Sequence, residues 1–197
     1  VAANGKWGLY QHPAPAAGYQ SSITFTKTHF LATMSSSDVK AKVHTPPSRD
    51  PITTPSVILY GSISPTTPWQ DHLTASLSDL PITIINPICT AWDSTWVEDT
   101  SDPRFVAQVE WEMDHGRLAD VVVIYLVPGT QAPISLLELG IHASLYGGEK
   151  VVVCCPEGFW KRGNVRIVCG RFGVKCVEHL EEVERVVREK LVVKLTA

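Results

Sequence analysis

The chain has 197 residues, 44% of them hydrophobic and 19% charged, with a net charge of −3. That length suits one domain plus an extension, and that charge leaves no footprint for a polyanion such as DNA. The longest apolar runs are about seven residues, far short of a membrane span, and no early segment has the charged-then-apolar pattern of a secretory leader, so a cytoplasmic protein off the membrane is expected.

Residues 1–55 are rich in Ser, Thr, Pro and Ala and lack sustained periodicity. Pro46-Pro47, Pro51 and Pro55 punctuate a linker-like run. Within it, Ile23 to Phe30 alternates like a strand able to add to a sheet edge or a partner. Met34-Ser-Ser-Ser resembles a natural start of translation, which makes the residues before it an extension of the gene model. Residues 1–55 therefore read as an irregular extension and linker, and 56–197 as the functional domain.

From Ser56 strands and helices alternate. Val57 to Tyr60 reads as the first strand, ending at Gly61. Trp69 to Leu80 reads as a helix, with Leu73, Leu77 and Leu80 at helical spacing. Ile82 to Ile85 is the second strand, ending in Asn86-Pro87. A polar loop with Trp92, Asp93 and Trp96 follows, then a helix over 102–118 with Asp102-Pro103 as cap and first turn. Val121 to Leu126 is a continuous apolar run, as a strand buried on both faces of a parallel sheet requires. After the Pro128-Gly129 break a helix runs from Ile134 to Tyr146, closed by Gly147-Gly148. Lys150 to Cys154 is the fourth strand, Val174 to Val177 a short fifth, and Glu178 to Lys190 an amphipathic closing helix. The alternation predicts an α/β fold: a doubly wound, flavodoxin-like five-stranded parallel sheet with helices on both faces. The five cysteines are odd in number and contain no CxxC pair, so free thiols in a reducing compartment are expected.

Open α/β sheets bind ligands outside the carboxyl ends of their strands. That edge gathers Tyr60, Gly61, Ser62, Asn86, Trp92, Asp93, Trp96 and Glu138. Glu138, near the start of the helix after the central strand, suits a nucleophile or general base; as a first-turn carboxylate it also suits the helix dipole. Trp92 and Trp96 suit an aromatic wall for a flat ligand, with Asp93 bonding its edge, or simple core packing. Tyr60-Gly-Ser-Ile-Ser-Pro is no dinucleotide fingerprint, and no phosphate-binding GxxxxGK[ST] occurs. No cofactor and no metal are expected.

Three segments carry a resemblance to a known family: Ile58-Leu-Tyr-Gly-Ser-Ile63, Val109 to Val123, and Ser135-Leu-Leu-Glu-Leu-Gly140. Together they make the chain from about 56 to 190 resemble the nucleoside 2-deoxyribosyltransferase superfamily, in its deoxyribosyltransferase-like branch. The resemblance implies a nucleoside or nucleotide substrate, and cleavage of its N-glycosidic bond through a covalent glycosyl–carboxylate intermediate. By that match Glu138 is the nucleophile, and Glu112 falls where a second carboxylate holds the sugar or the nucleophile. Tyr60, Gly61 and Ser62 lie in the matching substrate loop, and Asn86, Trp92, Trp96 and Asp114 are the further candidate substrate-side residues. Phe159 to Val165 is similar to a late segment whose Asn, here Asn164, reaches the sugar or a neighbouring subunit. The resemblance also implies a homo-oligomer, with Phe159 and Trp160 as aromatic anchors. The chain departs from the pattern at Gly129 to Ser135, which lacks the usual acid; Asp93 is the substitute proton donor. Two alternatives stand beside this reading. One is a nucleoside 5′-monophosphate N-glycosidase using Gly61-Ser62-Ile63 as a phosphate loop. The other is a non-catalytic nucleoside-binding module.

Overall fold

The computed structural model describes residues 40–64 and 66–196. The strand-like run Ile23 to Phe30 and the Met34 start lie outside the described residues. Six strands form one parallel sheet: β1 (Lys42–His44), β2 (Ser56–Gly61), β3 (Thr83–Ile85), β4 (Val121–Tyr125), β5 (Val151–Cys154) and β6 (Lys175–Val177), in the order β1-β3-β2-β4-β5-β6. Five helices connect or follow them: α1 (Trp69–Ser76), α2 (Pro103–Leu118), α3 (Pro133–Lys150), α4 (Arg162–Arg171) and α5 (Leu180–Leu195).

Period-two alternation explains the layers. Val57 and Leu59 point to one face, where they meet Trp69 and Leu73 of α1 and Val183, Val187 and Leu191 of α5. Ile58 and Tyr60 point to the other, among Trp111 of α2, Leu139 and Ala143 of α3, and Val165 and Cys169 of α4. Val57, Ile58 and Leu59 are fully buried, each worth about 1.5–3 kcal/mol. That two-sided burial is why the central strands read as unbroken apolar runs.

The sheet has six strands rather than the five expected. The added strand, Lys42–His44, pairs in register with Thr83–Ile85. It is three residues long at a sheet edge and mostly exposed, so it carries no hydrophobic pattern to read. A second difference is α4, where a loop was expected; Gly163, Asn164 and Gly170 are weak helix formers, and burial of Val165 and Cys169 holds the helix instead. The α2 boundary agrees with the sequence: Asp102 caps it by accepting the Arg104 N–H at 2.9 Å. α3 breaks at Gly147, whose φ is +51°, where the Gly pair was expected to close the helix.

From β2 the chain steps to β3 on one side and then crosses back to β4 on the other. The topological switch point therefore lies between the carboxyl ends of β2 and β4, where a crevice opens in such sheets. Among the described residues, no helix is long and apolar enough to cross a membrane.

Candidate functional site

Ser62 sets the crevice. It follows β2, is 3% exposed, and its Oγ accepts the Val127 N–H at 3.0 Å and meets Thr130 Oγ1 at 2.7 Å. Its backbone N–H donates to Tyr125 O, and its carbonyl accepts Trp69 Nε1–H. One serine thus ties the loop after β2 to the loop after β4. Gly61 makes the turn: its φ is +148°, and a Cβ there would sit 2.3 Å from Tyr125 O. With its hydroxyl bonded inside the protein, Ser62 is a structural tie and not an open phosphate donor.

Tyr60 lies just beneath, 2% exposed, its hydroxyl donating to the Glu112 carbonyl oxygen on α2. Burial, then the Glu138 and Glu112 charges, push the phenol well above its ordinary range. Opposite it, Gly116 leaves room: a Cβ there would be 2.3 Å from the Tyr60 oxygen and 2.9 Å from the His142 ring. The Tyr60 and His142 rings lie 5.5 Å apart. His142 is one turn beyond Glu138 on α3, 5% exposed, with no partner for Nδ1. Burial holds its imidazole below its usual range, hence neutral.

Glu138 is half-buried on α3. Burial, then the charge of Glu112, push its carboxyl up to about 9. Glu112 is also raised by burial, but Gln108 opposes this. The Gln108 amide donates to Glu112 Oε1 at 2.8 Å and to Pro87 O at 2.9 Å, which favours the ionised form. Two carboxyls in a shared desolvated site separate into one that keeps its proton and one that gives it up more readily. Here Glu138 is the first and Glu112 the second. The helix carrying Glu138 starts from Ala132, a non-glycine residue at φ +44°, a conformation that costs about 1–2 kcal/mol.

The aromatic loop is neither open wall nor core. Trp92 and Trp96 stack on each other at 4.7 Å, and the Arg104 guanidinium covers Trp96 at 5.2 Å. Trp92 is 40% exposed. Asp93 is exposed, and its carboxylate accepts from Thr95 N and Oγ1 at 2.7 and 2.6 Å. Those bonds hold it below the usual carboxylate range, a poor state for a proton donor. Asn86 is nearly buried after β3, its Oδ1 accepting from Ile88 N. Asp114 lies elsewhere, in an exposed ion pair with Arg49 at 2.8 Å. That pair lines a cavity of about 510 Å³ shared with Ile52, Leu118 and Tyr146. Asn164 is exposed on the first turn of α4. Phe159 is 3% exposed and belongs to the core, not to a surface anchor; Trp160 is 56% exposed and bonds Gln131 O. The structure thus brings together Tyr60, Gly61, Ser62, Glu112 and Glu138. It adds Gln108, Gly116, Thr130 and His142, of which the i, i+4 pairs Gln108/Glu112 and Glu138/His142 were legible as spacing.

Two desolvated carboxyls and a buried tyrosine thus lie at the switch point of a doubly wound α/β sheet. A family model described as nucleoside 2-deoxyribosyltransferase like matches residues 54–159. The chain belongs to that family, and the matched stretch includes Tyr60, Glu112 and Glu138. A solved structure, a conserved protein from Enterococcus faecalis V583, is similar with a TM-score of 0.51 at 10% identity, over 71% of this chain and 100% of its own. That likeness shows the fold. No curated protein matches the chain.

Proposed function

We propose that this protein cleaves the N-glycosidic bond of a (deoxy)nucleoside through a covalent glycosyl–Glu138 intermediate and passes the sugar to a second base or to water. The observation that carries this reading is Glu138 itself: a desolvated carboxyl at the switch point, electrostatically coupled to Glu112 and Tyr60. Before substrate binds Glu138 holds a proton, and a nucleophile must lose it. Glu112 takes that proton as substrate displaces water. One Glu138 oxygen then bonds the anomeric carbon, the carbon–nitrogen bond breaks, and Glu112 delivers the proton to the departing base. An anionic base leaves poorly, so this donation matters. In the second half a new base, or water, attacks the anomeric carbon and gives its proton to Glu112, freeing Glu138. This is retaining double displacement. Glu112 replaces Asp93 as the proton donor because the Asp93 carboxylate is committed to Thr95. On this reading Trp92, Trp96 and Asn86 are assigned to the base.

We further propose a homo-oligomer in a reducing, cytoplasmic compartment. Five free thiols support the compartment. An outer stripe of α3, Ile134, Leu137, Ile141 and Leu145, supports the oligomer, being 60%, 61%, 38% and 62% exposed.

The test is a panel of deoxynucleosides and their 5′-monophosphates, with and without a free second base, read by chromatography. The expected result is release of base from at least one member, and loss of that activity by several orders of magnitude in Glu138→Ala. A folded Glu138→Ala protein with near wild-type turnover would end the proposal.

A further inference from the structure

The buried stripe of α2 carries Gln108, Trp111 and His115 at i, i+3 and i+7. A carboxamide on that face needs partners, and Gln108, 6% exposed, has two. Its Nε2 donates one hydrogen to Glu112 Oε1 at 2.8 Å and the other to the Pro87 carbonyl at 2.9 Å. A proline carbonyl and a carboxylate only accept. Turning the amide over would set its oxygen against both, so the two bonds fix its orientation. Both N–H groups are thereby committed, and the Oε1 carbonyl oxygen accepts no hydrogen bond among the described residues. That oxygen shares a carbon with Nε2. It therefore lies beside the Glu112 carboxyl and beside the segment that leads from β3 to Trp92 and Trp96. A buried acceptor held in one orientation at that place is completed by a ligand that donates to it.

We propose that Gln108 reads the departing base and selects a 6-aminopurine nucleoside, its Oε1 accepting an N–H of the 6-amino group while Glu112 serves N7 of the same ring. The proposal rests on the glycosidic reading above and names its substrate class. The chemistry is one of matching edges. Glu112 delivers a proton and Gln108 Oε1 accepts a hydrogen bond, so the protein shows a donor next to an acceptor. Adenine shows the complement along one edge, the N7 acceptor next to the 6-amino donor. A 6-oxopurine shows two acceptors there, N7 and O6, and O6 would face Gln108 Oε1 with no hydrogen between them. The amide cannot turn to suit it without giving up Glu112 and Pro87 together. Discrimination thus comes from a repelled competitor as well as from a bound substrate. In the bond-breaking step the proton passes to N7 from the Glu112 oxygen that Gln108 does not hold. The bond from the anomeric carbon to N9 breaks, its electron pair stays on the purine, and the anomeric carbon bonds Glu138. The base leaves as neutral adenine with its proton on N7.

The experiment compares 2′-deoxyadenosine, purine 2′-deoxyriboside and 2′-deoxyinosine on the full-length chain. It reads kcat/KM in wild type and, with cleavage blocked, Kd in Glu138→Ala by calorimetry. The three nucleosides carry an amine, a hydrogen and an oxygen at carbon 6. The expected order is amine over hydrogen over oxygen, with about tenfold to a hundredfold between first and last, as one buried hydrogen bond against an unpaired acceptor gives. Gln108→Leu is expected to bring the three within about threefold of one another. Gln108→Asn, which keeps an amide but draws it back by one methylene, is expected to do the same. Circular dichroism checks that each variant folds, and the wild-type order decides alone if neither does. A flat order, a preference for 2′-deoxyinosine, or the wild-type order retained in folded Gln108→Leu would overturn the proposal. The two readings fail separately. The expected order of Kd without any release of base ends the glycosidic reading and leaves Gln108 as the reader of a bound 6-aminopurine. Release of base with a flat order ends the Gln108 proposal alone, and absence of binding by all three ends both.

Discussion

Glu138→Gln exchanges a titratable carboxyl for a neutral amide of nearly the same shape. In the folded protein burial, then Glu112, lift the carboxyl from its ordinary 4.5 to about 9. In the unfolded chain the same group ionises at its ordinary value. Between those two values the unfolded chain has released a proton that the folded protein keeps, so stability falls as pH rises. At pH 7 the gap is about 2.5 pH units at about 1.36 kcal/mol each, or roughly 3 kcal/mol at most. Glutamine carries no such penalty. For a domain of this size each kcal/mol moves the melting temperature by about 2–4 °C. The variant is therefore expected to melt about 6–12 °C above wild type at pH 7 and close to it near pH 4.5, while losing glycosidic activity. Thermal melts of both proteins across that range make the measurement. An offset independent of pH, or a variant less stable than wild type at pH 8, would refute the desolvated-carboxyl argument.

Gly116→Ala is expected to destabilise by about 1–3 kcal/mol despite alanine's better helix propensity, because its Cβ would meet the Tyr60 oxygen at 2.3 Å and His142 at 2.9 Å. Melting and kinetics together check it: a displaced Tyr60 lowers kcat, and an unchanged melting temperature contradicts the close approach. For the oligomer, light scattering at micromolar concentration is expected to return a multiple of 21.6 kDa, shifting to monomer in Leu137→Glu. A monomer mass for wild type removes that part of the proposal.

What was readable in the sequence follows from where burial leaves a pattern. Val57 to Tyr60 and Val121 to Leu126 announced themselves because both faces of those strands are covered. Lys42–His44 has one neighbour and little burial, so nothing in its side chains marks it as strand. The motif singles out Glu138 but says nothing of its high proton affinity, which depends first on how the fold buries it and then on how α2 sets Glu112 nearby. Asp93 drew attention by chemistry alone, and its commitment to Thr95 is a matter of local turn geometry. Phe159 looked uncovered because the helix that follows it was not foreseen.

The Ser62 tie has a consequence for how a ligand enters. One jaw of the crevice, between the loops after β2 and β4, is welded shut by bonds internal to the protein. Its gauge is set before any ligand arrives. The opposite jaw is the segment from Asn86 to Asp102, which is exposed along most of its length and held to α2 by Arg104 and Asp102 and by the Gln108 bond to Pro87. Those bonds pin the Trp92–Trp96 side at Pro87, Thr95 and Val97 only, whereas the Ser62 side is tied strand end to strand end.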